Sequence, residues 1–152
     1  MADVANIKAA FDKYGVPYKE YSGWVTRGRP YTFTPKGLVL HHDASPKGPS
    51  DGVDDFIVRG TSSIPGPLSQ LWASRVDGRP QMYILAGGRA NHAGIGGGST
   101  AAPAARWIPT NSGNRYTLGL EWDHTTGETP DAEVYSVIVK AIAAIFLQNG
   151  WT

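Results

Sequence analysis

Three short segments carry the groups that could do chemistry: His41-His42, Asn91-His92-Ala93-Gly94, and Glu121 followed by Asp123 and His124. They lie far apart in sequence, yet each falls at the end of an apolar run that reads as a strand, so one sheet could gather them. Neutral imidazole is a common zinc ligand, and a carboxylate beside a metal-bound water can take its proton. That is the minimum set for metal-assisted hydrolysis. Zinc lowers the pKa of bound water from about 16 to about 7, which makes hydroxide available to attack an amide carbonyl at neutral pH. Each residue also has a plain structural alternative: strand-end histidines bonded to nearby backbone, and a solvent-facing strand carboxylate.

The elements that must position these groups follow from periodicity and turn chemistry. Leu38, Val39 and Leu40 form a short buried strand that delivers His41 to a turn over Asp43 to Pro46. Two apolar-rich runs, 69–76 and 81–86, flank Asp77-Gly78 and predict a β-hairpin. In the strand over Tyr116 to Trp122, Thr117, Gly119 and Glu121 share one face and Leu118, Leu120 and Trp122 the other, so Glu121 points away from the most apolar side. His124, three residues on, falls on the opposite face unless the strand has ended, and reads as a solvent-facing loop histidine. An opening helix over 4–14 buries Val4, Ile7, Ala10 and Phe11 and stops at Gly15. Residues 16–36 are irregular and aromatic and suit the cover of a sheet edge. A short helix is expected from Asp51 to Val58, ending at Gly60. The last helix is capped by Thr129, with Pro130 in its first position and a buried stripe of Val134, Val137, Ile138, Ala141, Ile142 and Ile145. This order predicts an α/β domain, a central mixed β-sheet flanked by helices. The run Gly94 to Gly98 lacks a following Gly-Lys-Ser/Thr and is a flexible rim rather than a phosphate loop.

Composition narrows the function classes. The 152 residues, 41% of them hydrophobic, suit a single domain, and nineteen glycines with eleven prolines suggest shaped surface loops of the kind that build a groove. A net charge of +1 without any Lys/Arg block argues against nucleic acid or an anionic membrane as partner. There are no cysteines, so a metal would have to be held by histidine and carboxylate. No export signal opens the chain and no segment approaches a membrane span, so synthesis in the cytosol and a monomeric state are expected.

The combination of LVLHH at a strand end, a QLWASRVDGRPQMYILA hairpin leading into NHAG, and YTLGLEW before a long helix resembles the type-2 N-acetylmuramoyl-L-alanine amidases. That family shares its fold with peptidoglycan recognition proteins and includes many phage endolysins. The similarity runs from Gly37 to the end of the chain. It implies a zinc enzyme that cleaves the amide between N-acetylmuramic acid and L-alanine in bacterial peptidoglycan, made in the host cytoplasm and released to the cell wall through a holin-type lesion. By position, His41 matches the first zinc ligand and Glu121 the acidic residue beside the metal-bound water. Asn91 and His92 match the groove lining, and His42 is the ligand's neighbour, structural or in contact with substrate. The chain departs from the pattern after the last helix, where the family supplies a second histidine and then an aspartate or cysteine, because the sequence stops at Trp151-Thr152. Three explanations are open: chain beyond Thr152 completes the site, His92 or His124 rebuilds it, or the domain holds wall fragments without cutting them. Hydrolysis of another amide, as in a small-peptide amidase, is a further alternative.

Overall fold

The computed structural model describes residues 3–43, 52–96 and 106–152. Its elements in chain order are α1 (Ile7–Tyr14), β1 (Tyr18–Glu20), β2 (Gly37–His42), α2 (Val53–Arg59), β3 (Leu71–Val76), β4 (Arg79–Ile84), the single turn α3 (Gly113–Tyr116), β5 (Thr117–Trp122) and α4 (Ala132–Asn149). The five strands form one mixed sheet in the order β1, β4, β3, β5, β2. β3 and β4 pair antiparallel, while β5 runs parallel to both β3 and β2 and β1 runs parallel to β4. The hairpin forms where Asp77-Gly78 predicts it, with positive φ at both residues (51° and 73°), the geometry a right-twisted two-residue turn requires.

The main core lies on one face of the sheet. Leu71, Met82, Ile84, Leu118 and Leu120 are fully buried there against Ile7 and Phe11 of α1 and Ile138 and Ile145 of α4. Each such side chain contributes about 1.5–3 kcal/mol when removed from water. On the opposite face, among the described residues, a smaller cluster forms in which Ile57 of α2 packs with Trp72 and Leu85. That thinner cover leaves room for polar groups at the ends of β2 and β5.

Four expectations are corrected. α1 begins at Ile7 instead of near Val4: Asn6 takes a left-handed φ of 50°, Asp3 Oδ2 accepts the Lys8 amide at 3.0 Å, and Val4 is exposed while Ala5 is buried. α4 is capped by Asp131, not Thr129. Asp131 Oδ1 accepts from the amides of Glu133 (3.1 Å) and Val134 (3.2 Å), and Arg75 of β3 grips the same carboxylate through two 3.0 Å bonds. A contact from a distant strand thus fixes the helix start and leaves Pro130 outside it. Residues 16–36 do cover a sheet edge, but by contributing its edge strand β1 and a 3-10 turn over Trp24–Thr26. Finally, α4, at 18 residues and mean hydropathy 1.3, has the length and composition of a membrane-crossing helix, although here Val134, Ile138, Ala141 and Ile145 bury against the sheet and α1. The expected turn after Asp43, the first residue of the Asp51 helix and the end of the glycine rim lie outside the described residues.

Asp131→Ala removes the cap and leaves Arg75 without its main partner. We expect a loss of about 1–2 kcal/mol, seen as a lower urea midpoint with unchanged slope; an unmoved midpoint would show that the cap contributes nothing.

Candidate active site

The parallel pairing of β2 with β5 is in register, with His41 opposite Glu121, and Trp72 of β3 faces Glu121 from the other side. Alternation then places His41 and Asp43, Glu121 and Asp123, and Trp72 and Ser74 on the same thinly covered face. The group sits at the carboxyl ends of β2 and β5, where open α/β sheets gather ligands. Beside it lies a hollow of about 280 Å³, walled by Val53, Phe56 and Ile57 of α2 and by Leu68, with Asp43 and Glu121 as polar lining.

His92 reaches this face from the loop after β4. Asn114 Oδ1 accepts both the His92 amide (2.8 Å) and the Ala93 amide (2.7 Å), and Asn91 Nδ2 donates to the Pro65 carbonyl at 2.7 Å. The imidazole lies against β5 at Gly119, where an added Cβ would sit 2.7 Å from His92 Cγ and 2.9 Å from Ser69 Oγ. Its Nε2 is 3.0 Å from the Thr117 carbonyl and 3.3 Å from Thr117 Oγ1, whose own proton goes to Gly113 O at 2.9 Å. Both of those oxygens can only accept, so His92 Nε2 carries the proton. Burial lowers the pKa of this ring to about 4, with the charges of His41 and Arg89 adding and the Thr117 bond opposing. The neutral ring therefore has a bare Nδ1, which accepts from His41 Nε2 at 3.3 Å. His41 Nδ1 is left for another partner. Burial, then the neighbouring His42, lowers the pKa of His41 as well.

The carboxylates shift the other way. Burial, with the charge of Asp43 added, pushes Glu121 up to about 7. Asp123 is buried, and it accepts from Trp72 Nε1 at 2.9 Å and from the Ser74 hydroxyl. Burial and the adjacent Asp43 raise its pKa, against the opposing pull of Ser74 and Trp72. Trp72 Nε1 also approaches Asp43 Oδ2 at 3.3 Å, which ties the two acids to one indole.

The sheet thus brings together His41, His92 and Glu121, with Asn91 anchoring the loop. The rings of His42 and His124 lie elsewhere: they meet edge-on at 5.9 Å, and His124 lies 4.8 Å from Trp122, on the face opposite His41, although His42 also borders the hollow. His124 is half-buried by this stacking and so is not the solvent-facing residue its loop position suggests. A catalytic zinc takes about three protein ligands. Among the described residues no three His, Asp or Glu side chains converge closely enough to hold a metal, so these residues do not by themselves fit the ion. Two supporting residues escape sequence reasoning. Asn114 is one. The other is buried Gln70, whose Oε1 accepts the Gly119 amide at 2.7 Å and whose Nε2 donates to the Gly88 carbonyl at 3.0 Å. Neither side chain breaks a periodicity or completes a motif; the only available signal was an amide where β3 begins.

Gly119→Ala forces a methyl into the His92 ring. The expected cost is about 1–3 kcal/mol, the range for an overpacked site, together with altered His92 and His41 resonances in histidine 15N spectra; unchanged spectra would contradict the packing. The pKa of His92 is held below its unfolded value, so the unfolded chain takes up the proton first. Stability is therefore expected to fall as pH drops from about 6.5 to about 4. A His92→Asn variant should lose that part of the pH dependence in denaturant titrations. No family model, no curated protein and no solved structure matches this chain.

Proposed function

We propose that the protein is an N-acetylmuramoyl-L-alanine amidase with the peptidoglycan recognition protein-like fold, acting on bacterial peptidoglycan as the amidase domain of a phage or prophage endolysin. The observation that carries this is Glu121. Its carboxyl is half-buried beside an apolar hollow, is raised to about 7, and lies in register with His41 on the adjoining strand. A carboxyl of that pKa accepts a proton from the attacking water and returns it to the leaving L-alanine nitrogen, which is the exchange amide hydrolysis needs at neutral pH. His92 fixes the ring of His41, and Asn91 fixes the loop that carries His92. His41 would supply one ligand to a zinc ion, which would lower the pKa of the attacking water and polarise the carbonyl. The rival reading is a wall-binding module of the same fold that holds the same substrate uncut.

Dye release from labelled cell walls, followed by end-group analysis, separates these. An amidase yields free glycan and new L-alanine amino termini, whereas a binder yields neither and keeps its affinity. We expect Glu121→Gln to lower the rate about 10²- to 10⁴-fold with wall binding retained. The parent rate should rise with pH through about 7 as Glu121 ionises. Equal rates in parent and variant would refute the role of Glu121. Elemental analysis of the parent and of His41→Ala tests the metal assignment: zinc lost on substitution keeps His41 as a ligand, and zinc retained by the variant removes it from the site.

A further inference from the structure

Two arginines outside the site just described are forced together. Residues 27–31 and 85–89 run side by side, so close at Gly28 that an added Cβ would lie 2.7 Å from the Cα of Gly88. An isolated antiparallel bridge pairs Arg29 with Arg89, with the Arg29 amide bonded to the Arg89 carbonyl at 2.8 Å. Directly opposed residues of such a pair project to the same side, and like charges there repel. Both guanidinium groups lie over the ring of Tyr31, at 6.0 Å for Arg29 and 5.4 Å for Arg89. The ion pairs among the described residues use Lys8, Lys19, Arg59 and Arg75, and neither member of this pair. Among the described residues the Nε of each is buried without a hydrogen-bond partner, and the one side-chain bond of the pair is a 3.3 Å contact from Arg89 Nη1 to the Thr32 carbonyl. Arg27 next door contrasts with them, since two carbonyls occupy its guanidinium.

We propose that Arg29 and Arg89, braced on Tyr31, form a clamp for an oxyanion, a carboxylate or a phosphate group of the bound ligand. An oxyanion offset by two guanidinium groups removes the repulsion and takes up their free donors in the planar geometry that arginine favours. Arg89 stands three residues before His92 on one loop, within about 11 Å of chain, so the clamp can hold one end of a molecule whose other end is at His41 and Glu121. That the anion belongs to a wall fragment rests on the proposed function; the anion site itself does not.

The test is titration at low ionic strength with inorganic phosphate and, separately, with the dipeptide L-alanyl-D-glutamate, followed through the side-chain Nε–H resonances of Arg29 and Arg89. Exposed Arg79 serves as the internal control. The clamp predicts saturable shifts at Arg29 and Arg89 but not at Arg79, and affinity lowered about tenfold or more by Arg29→Gln or by Arg89→Gln. Tighter binding of the dipeptide identifies a peptide carboxylate as the occupant, tighter binding of phosphate a phosphate-bearing polymer, and equal binding a general oxyanion site. Shifts that rise without saturation or that Arg79 shares, or folded glutamine variants that bind like the parent, would overturn the proposal. If a glutamine variant does not fold, the spectra of the parent protein still decide. Binding without wall cleavage by the parent would refute the amidase and leave the clamp intact, and cleavage without binding would do the reverse.

Discussion

The in-register parallel pairing of β2 with β5 sets the position of every polar group in the site. Because side chains alternate along a strand, it puts His41 beside Glu121 and Asp43 near Asp123 on one face, while Leu38, Leu118, Leu120 and Trp122 enter the core on the other. A slip of one residue would exchange the two sets and send the leucines to solvent. The apolar core on the helix side therefore enforces the geometry on the polar side. Gly119 adds a second constraint, since its missing side chain is the space in which the His92 ring rests.

The thin cover on the polar face gives the site its electrostatics. Among the described residues the short helix α2 shields Trp72 and the hollow, which removes much of the water from Glu121 and Asp123. Burial and the charge of Asp43 raise both Glu121 and Asp123, and the indole of Trp72 is shared between Asp43 and Asp123. The histidines undergo the opposite shift for the same reason, so one environment keeps imidazoles neutral and a carboxyl protonated at the same pH.

What was legible in the sequence is what local patterning controls. The Asp77-Gly78 hairpin, the alternation that turns Glu121 away from the leucines, and the buried stripe of α4 all follow from period and turn type, and all are present. The helix starts were misplaced because tertiary contacts decide them: Arg75 selects Asp131 over Thr129, and the Lys8 amide bonds to Asp3 beside the left-handed turn at Asn6. His42 and His124 are adjacent to site residues in sequence, yet their rings meet each other. The bond between His41 and His92 joins residues 51 positions apart, and the meeting of Arg29 with Arg89 depends on two glycines from different segments; neither leaves a periodic trace.

Gln70 extends the sheet by other means. Where β3 begins, its side-chain amide bonds the backbone of β5 at Gly119 and the backbone of the following loop at Gly88, so a side chain replaces a rung of the ladder. The loop carrying Arg89 and His92 is thereby riveted to the strand carrying Glu121. A ligand that spanned the two ends of that unit would gain by tethering: held at one end, it would be presented to the other at high effective concentration.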